Sequence, residues 1–224
     1  MKTLYYIHDP MCSWCWAFAP VWQQVQQALD EDTQIIYLLG GLAPDNQQPM
    51  PQALQHTIQN HWRTIQQQVP GIMFNFDFWQ LNTPMRSTYP ACRAVIAAKL
   101  QDEKAEQNMI LAIQQTYYLQ AKNPSLDSTL IHCAQSIALD IQQFETDCHA
   151  ENTQSQLLSN IKQAQSLQAF SFPSLVFKDG NKTKPIRLYY IHPQPKLYQL
   201  LYPQLNFHFN QKKNDPKRGR FIIA

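Results

Sequence analysis

Apolar positions change period twice within the first forty residues. Leu4-Tyr5-Tyr6-Ile7 is an unbroken apolar run of strand length, as expected of a strand covered on both faces. From Cys15 onward the apolar residues Phe18, Trp22, Val25 and Leu29 recur at steps of three and four, the stripe of an amphipathic helix. A second unbroken run, Ile35-Ile36-Tyr37-Leu38-Leu39, ends at Gly40-Gly41 and predicts a second buried strand, parallel to the first. The opening is therefore a βαβ unit, with the glycine pair expected to end its second strand. Pro20 falls inside the crossover helix and, lacking an N–H and crowding the carbonyl of Trp16, is expected to kink it.

From Pro49 to about Leu167 the period is helical and the polar positions are rich in Gln. One face carries Leu54, Ile58, Trp62, Ile65 and Val69; others carry Met109, Ile113 and Tyr117, then Leu130, Cys133 and Ile137, then Ile141, Phe144 and Cys148. Breaks are expected at Pro70-Gly71, Thr83-Pro84 and Asn123-Pro124. Between the first two, Ile72, Phe74, Phe76 and Phe78 alternate, which fits either a short extended segment or a packed loop. The pattern returns to strand at Leu175-Val176-Phe177. The turn Lys178-Asp179-Gly180-Asn181 leads to a predicted partner strand at Ile186-Arg187-Leu188-Tyr189-Tyr190, giving an antiparallel hairpin. A short helix is expected around Pro195 to Tyr202. The tail beyond, with Lys212, Lys213, Lys217, Arg218 and Arg220, reads as solvated, and its apolar end Phe221-Ile222-Ile223 as a segment able to dock on a neighbouring surface. The fold class is thus α/β with a large all-helical insertion. The expected units are residues 1–45 plus 170–205, the insertion 46–169, and a basic tail 206–224.

Length and charge narrow the function classes. A chain of 224 residues can bury a sizeable core, and 18 basic against 16 acidic side chains leave a net charge of only +2. Neither nucleic acid nor a membrane is expected as a partner. The apolar run after Lys2 is too short for a signal-peptide core, no stretch reaches membrane-span length, and five cysteines are an odd number for a disulfide framework. These features predict a cytoplasmic protein, in a compartment where disulfides are transient and catalytic.

The candidate chemistry is Cys12-Ser13-Trp14-Cys15, set where the first strand gives way to the helix. Free N–H groups and the helix dipole at that end favour a thiolate on Cys12, while the apolar stripe tucks Cys15 inward. Cys12 is therefore the candidate nucleophile and Cys15 the resolving thiol, three residues on and on the same turn. A strand before and an amphipathic helix after the pair match a redox Cys-x-x-Cys better than half of a zinc site, and no metal is expected. Trp16 after Cys15 excludes a c-type haem attachment.

Around this pair, Ser13 is a candidate donor to the thiolate and Trp14 an apolar face for peptide-like partners. His8, at the end of the first strand, either assists Cys12 as a proton carrier or is an exposed strand-end imidazole. Asp9 is a candidate helix cap, and Trp16 serves packing or binding equally well. Cys92 reads first as a small buried hydrophobe and second as an extra redox or glutathione-accepting thiol, because Pro90 places it in a first helical turn. Cys133 and Cys148 fall on apolar faces, and the adjacent His132 and His149 point elsewhere on their helices, so the pairs make no ready ligand set.

Asp9-Pro10-Met11-Cys12-Ser13-Trp14-Cys15-Trp16-Ala17-Phe18, Ser87-Thr88-Tyr89-Pro90-Ala91-Cys92-Arg93-Ala94 and Phe172-Pro173-Ser174-Leu175-Val176 resemble the DsbA-like branch of the thioredoxin superfamily. The resemblance is closest to its signal-less group described as predicted protein-disulfide isomerases, and it runs to about residue 205. It implies a thioredoxin-like fold, a cis-proline at Pro173 facing the Cys12 sulfur, and backbone groups of Phe172 that pair with an extended substrate. It further implies thiol–disulfide exchange with disulfide-containing proteins or small thiols. Electrons would come from a cellular thiol reductant, with glutathione as a thiol partner and no bound cofactor. Kappa-class glutathione transferases of the same branch carry Ser in place of the first cysteine, and relatives tend to have His where Cys92 stands. A kappa-type glutathione-dependent enzyme and a non-catalytic peptide-binding or chaperone module are the alternatives.

Overall fold

The computed structural model describes residues 2–188 and 190. The opening βαβ unit consists of β1 (Lys2–His8), α1 (Ser13–Gln27) and β2 (Thr33–Leu39), with β1 and β2 parallel. After the insertion come β3 (Ser174–Asp179) and β4 (Lys182–Ile186), and the sheet order is β2-β1-β3-β4. Both β1–β3 and β3–β4 are antiparallel.

The unbroken apolar run of β1 is explained by cover on both faces. Leu4 and Tyr6 pack with Phe18, Val21, Trp22 and Val25 of α1, while Tyr5 and Ile7 pack with Leu38, Ala164, Ala169 and Val176 on the other face. α1 continues through Pro20, which is exposed, so its missing donor faces water rather than the core.

The hairpin is shifted from the sequence expectation. Asp179 pairs directly with Lys182 across the two-residue turn Gly180-Asn181, with Gly180 at φ +55°, so the partner strand starts at Lys182 and Ile186 is its last residue, opposite Leu175. The tight turn sets the register, and an edge position tolerates both the lysines and Pro185. The expected helix at Pro195 to Tyr202 and the basic tail lie outside the described residues.

Between β2 and β3 lie α2 (Gln52–Gln68), α3 (Phe78–Leu81), α4 (Tyr89–Gln101), α5 (Ala105–Tyr118), α6 (Asp127–Ser136), α7 (Ile141–Cys148) and α8 (Glu151–Ser166). All three expected breaks fall between helices. The Ile72–Phe78 stretch is a packed loop leading into α3, its phenylalanines gathered around Trp62. α4 shows no amphipathic stripe because it lies inside: Ala91, Cys92, Ala94, Val95, Ile96, Ala97 and Ala98 are all buried, packed with Met109 and Ile113 of α5, Leu130 and Cys133 of α6 and Phe144 of α7. α8 lies over β2, and its Asn160 Oδ1 accepts the Leu39 N–H at 3.2 Å.

Candidate active site

Cys12 is the N-cap of α1, with extended backbone (φ −81°, ψ 118°), and its sulfur accepts the Cys15 N–H at 3.4 Å. That donor is one of the first-turn N–H groups that the helix itself cannot satisfy. The backbone donor is the one expected at the start of a helix. On its other side the Cys12 thiol donates to the Phe172 carbonyl at 3.4 Å. The Phe172–Pro173 peptide is cis and opens β3, so residues 160 positions apart in the chain meet at one sulfur. Cys12 keeps 7% of its surface exposed and Cys15 none. Burial pushes the Cys15 thiol well up, and the neighbouring Cys12 sulfur adds to that shift, so the inner thiol stays protonated.

Trp14 and Trp16 flank Cys15 in the chain. The Trp14 ring lies 4.9 Å from that of Tyr190, half-buried beside the turn. Trp16 serves packing: its ring stacks 5.9 Å from Tyr118 and its indole N–H donates to the Met73 carbonyl at 3.1 Å. Phe172 seats its ring against Gly40, where a Cβ would collide with ring carbons. Gly40 is therefore required by a close approach as well as by the strand end, a demand the sequence could not reveal because the ring arrives from residue 172.

Two expectations are corrected, for His8 and Asp9, and the two readings of Cys92 are told apart. His8 is neither a proton carrier at the surface nor an exposed imidazole: it is fully buried, stacked 5.1 Å from Tyr6, and among the described residues neither ring nitrogen has a hydrogen-bond partner. Burial lowers its pKa to about 3, so it is a neutral core residue with no route to a substrate. Asp9 does not cap α1, since Cys12 holds that position. Instead its buried carboxylate accepts from Met11 N–H (2.8 Å), Leu42 N–H (2.7 Å), Thr88 Oγ1 (2.7 Å) and the Cys92 thiol (3.6 Å). Cys92 has no exposed surface, and burial followed by the Asp9 charge raises its thiol well above the ordinary range, which removes it as an extra reactive thiol. Cys133 and Cys148 are likewise buried in the insertion core, and His149 lies 3.4 Å from Asp127 rather than among cysteines. The role of Asp9 as a junction was missed because its partners Leu42, Thr88 and Cys92 are remote in sequence.

Residues 5–193 match the sequence profile of the thioredoxin family. The chain belongs to that family. Within it the fold is DsbA-like, with the helical insertion between β2 and β3 and the Cys12–Cys15 pair at the start of α1. Among solved structures, this thioredoxin-family chain is similar to a provisionally assigned protein disulfide isomerase from Nitrosomonas europaea (TM-score 0.76, 26% identity, 91% of this chain and 98% of that one). The fold also matches the cytosolic disulfide reductase DsbM from Pseudomonas aeruginosa (TM-score 0.73, 20% identity, 90% and 98%), a protein also solved with GSH. Among curated proteins it is similar to the ClpXP adapter protein SpxH of Halalkalibacterium halodurans, 25% identical over 80% of this chain, and of Bacillus subtilis, 25% identical over 78%. The chain spans only 59% and 57% of the length of those two relatives. No helix among the described residues is long and apolar enough to cross a membrane.

Proposed function

We propose that this chain is a thiol–disulfide oxidoreductase of the reducing or isomerising kind, with Cys12 as nucleophile and Cys15 as resolving thiol. The observation that carries the reading is the setting of the Cys12 sulfur between the Cys15 N–H and the Phe172 carbonyl, each at 3.4 Å, with the fully buried Cys15 beneath. The Cys12 thiolate attacks one sulfur of a substrate disulfide and forms a mixed disulfide, expelling the other substrate sulfur as a thiolate. Cys15, giving up its proton, then attacks the Cys12 sulfur and releases the second substrate thiolate. Two electrons pass to the substrate, and Cys12–Cys15 is left oxidised. Two molecules of a cellular thiol such as glutathione return the pair to the dithiol and leave as their own disulfide. Phe172 next to Pro173 is suited to pair through its backbone with an extended substrate segment, and Trp14 and Ser13 of the turn supply an apolar contact and a hydroxyl to that substrate in this reading. A reducing cytoplasmic setting follows from this electron supply.

The test is Cys15→Ser in the presence of glutathione disulfide or an oxidised peptide. A stable mixed disulfide on Cys12, seen by mass as an adduct lost on reduction, is expected; the wild-type chain clears it. Full turnover surviving Cys15→Ser would favour the kappa-type glutathione-dependent alternative instead. The likeness to SpxH adapters favours a second reading, a binding module for a protein partner in which the thiols are incidental. That module would keep its partner affinity after Cys12→Ala and show no reduction of insulin.

A further inference from the structure

The peptide joining Met11 to Cys12 is held at both ends. Its N–H donates to the Asp9 carbonyl at 3.0 Å, and its carbonyl accepts the Tyr118 hydroxyl at 2.7 Å. The first bond belongs to the turn itself. The second comes from the last residue of α5, 107 positions away, inside the helical insertion. Tyr118 has no exposed surface and almost no freedom. Its ring packs 5.5 Å from Trp62, 5.2 Å from Phe74 and 4.4 Å from Tyr117, and its carbonyl accepts the Asn75 N–H at 2.6 Å. Its face meets Trp16, the residue after the resolving cysteine. One side chain thus touches the active turn immediately before Cys12 and immediately after Cys15. Burial raises the phenol well above its usual range, so it remains a donor at physiological pH.

We propose that Tyr118 is a positioning residue for the Cys12–Cys15 couple: by holding the Met11–Cys12 peptide from within the insertion, it sets the effective concentration of one sulfur at the other. The inference rests on the oxidoreductase reading above. Its physical basis is that Cys12 is the N-cap and not yet helical, so the path of its backbone, and with it the direction of Cα–Cβ, is set by the preceding peptide rather than by the helix. A disulfide needs sulfurs about 2.05 Å apart within a narrow range of Cα separations and torsions. A turn free to rotate at the 11–12 peptide spends less of its time in that range, and the resolving attack and the equilibrium for closing the disulfide both fall. The bond reaches no substrate and no sulfur, so Tyr118 acts through the turn.

The test is Tyr118→Phe, which keeps the ring and removes only the hydroxyl, compared with Phe78→Leu. Phe78 belongs to the same aromatic cluster, its ring meeting Trp62, Trp79 and, at 4.8 Å, Tyr117. Each protein is equilibrated with reduced and oxidised glutathione at a temperature where its melting curve shows it folded, and the fraction of Cys12–Cys15 disulfide is read by acid quench and alkylation. Loss of one hydrogen bond worth about 1 kcal/mol predicts an effective concentration about fivefold lower in Tyr118→Phe, so its disulfide is reduced at lower glutathione. The rate at which Cys15 clears a Cys12–glutathione adduct falls by a similar factor. Phe78→Leu lowers the melting temperature with the equilibrium unchanged. An unchanged equilibrium and clearance rate in Tyr118→Phe, or an equal shift in both variants, overturns the assignment. A wild-type chain that forms no Cys12–Cys15 disulfide at any glutathione ratio overturns the oxidoreductase reading, and this inference with it.

Discussion

Gly40→Ala is the most informative single perturbation of the site, because it puts a methyl group in place of one hydrogen at a point where the structure leaves no room. A Cβ at residue 40 would stand 2.7 Å from Phe172 Cδ1 and closer still to Cε1 and Cζ. Ordinary carbon–carbon contact is about 3.5–4.0 Å, so the ring must retreat by about 1 Å or more. Gly40 itself is fixed, its N–H donating to the His8 carbonyl at 2.7 Å at the end of the sheet. The half-buried ring of Phe172 therefore has to move, and its carbonyl, 3.4 Å from the Cys12 sulfur, is two bonds from the Cα that carries the ring. Overpacking of this kind costs about 1–3 kcal/mol, and for a chain of this size each kcal/mol lowers the melting temperature by about 2–4 °C. A displacement of about 1 Å at a reacting centre can cost up to about 10²-fold in rate. The expected result is a melting temperature several degrees lower together with a fall of about tenfold or more in the rate at which oxidised glutathione or insulin is reduced. In the pair Gly40→Ala/Phe172→Leu the shorter side chain vacates the space, so its stability should exceed the sum of the single effects by about 0.5–3 kcal/mol. A Gly40→Ala protein with wild-type melting and wild-type rate would show that the ring yields without consequence. A lower melting temperature with an unchanged rate would separate Phe172 from the chemistry.

His8 should make stability fall with acid. Its folded-state value of about 3 lies below the ordinary 6.5, so between those values the unfolded chain takes up a proton that the folded chain refuses. The stability lost between pH 7 and pH 5 is about 2 kcal/mol by this linkage, and urea titrations at the two pH values should show a correspondingly smaller loss in His8→Phe; equal pH dependence in both proteins would refute the buried neutral imidazole. Brief alkylation of the native reduced protein at neutral pH should label Cys12 first, since Cys15, Cys92 and Cys133 have no exposed surface and burial raises Cys148 to about 12. Peptide mapping that finds Cys92 labelled as fast as Cys12 would contradict its burial against Asp9.

Periodicity made the first strand, the Cys-x-x-Cys helix, the second strand and the insertion legible, because each buries a face whose spacing is written locally. It failed for α4, whose middle from Ala94 to Ala98 is buried at every position and so has no stripe to detect, and for β4, whose position follows from a two-residue turn rather than from its own apolar content. The site was legible at Cys12 and Cys15 from their place at a strand-to-helix turn. The expectation that the Phe172–Pro173 segment meets Cys12, whose sulfur lies 3.4 Å from the Phe172 carbonyl, came from resemblance, since nothing in a Phe-Pro pair at residue 172 announces a neighbour at residue 12.

His8, Asp9 and Gly40 show the same division from the other side. Their residue types permitted a proton carrier, a helix cap and a strand stop, and the local chain could not choose among such roles. Sequence alone determined the opening βαβ unit, the helical character of the insertion and which thiol starts a helix, because helix ends, turns and apolar stripes are governed by neighbours within a few positions. Only the tertiary structure decided that His8 is entombed, that Asp9 joins three segments, and that Tyr118 and Phe172 converge on the active turn. Burial and hydrogen-bond partnership are properties of groups brought together from more than a hundred residues apart, and they set protonation and position only once the chain has closed around them.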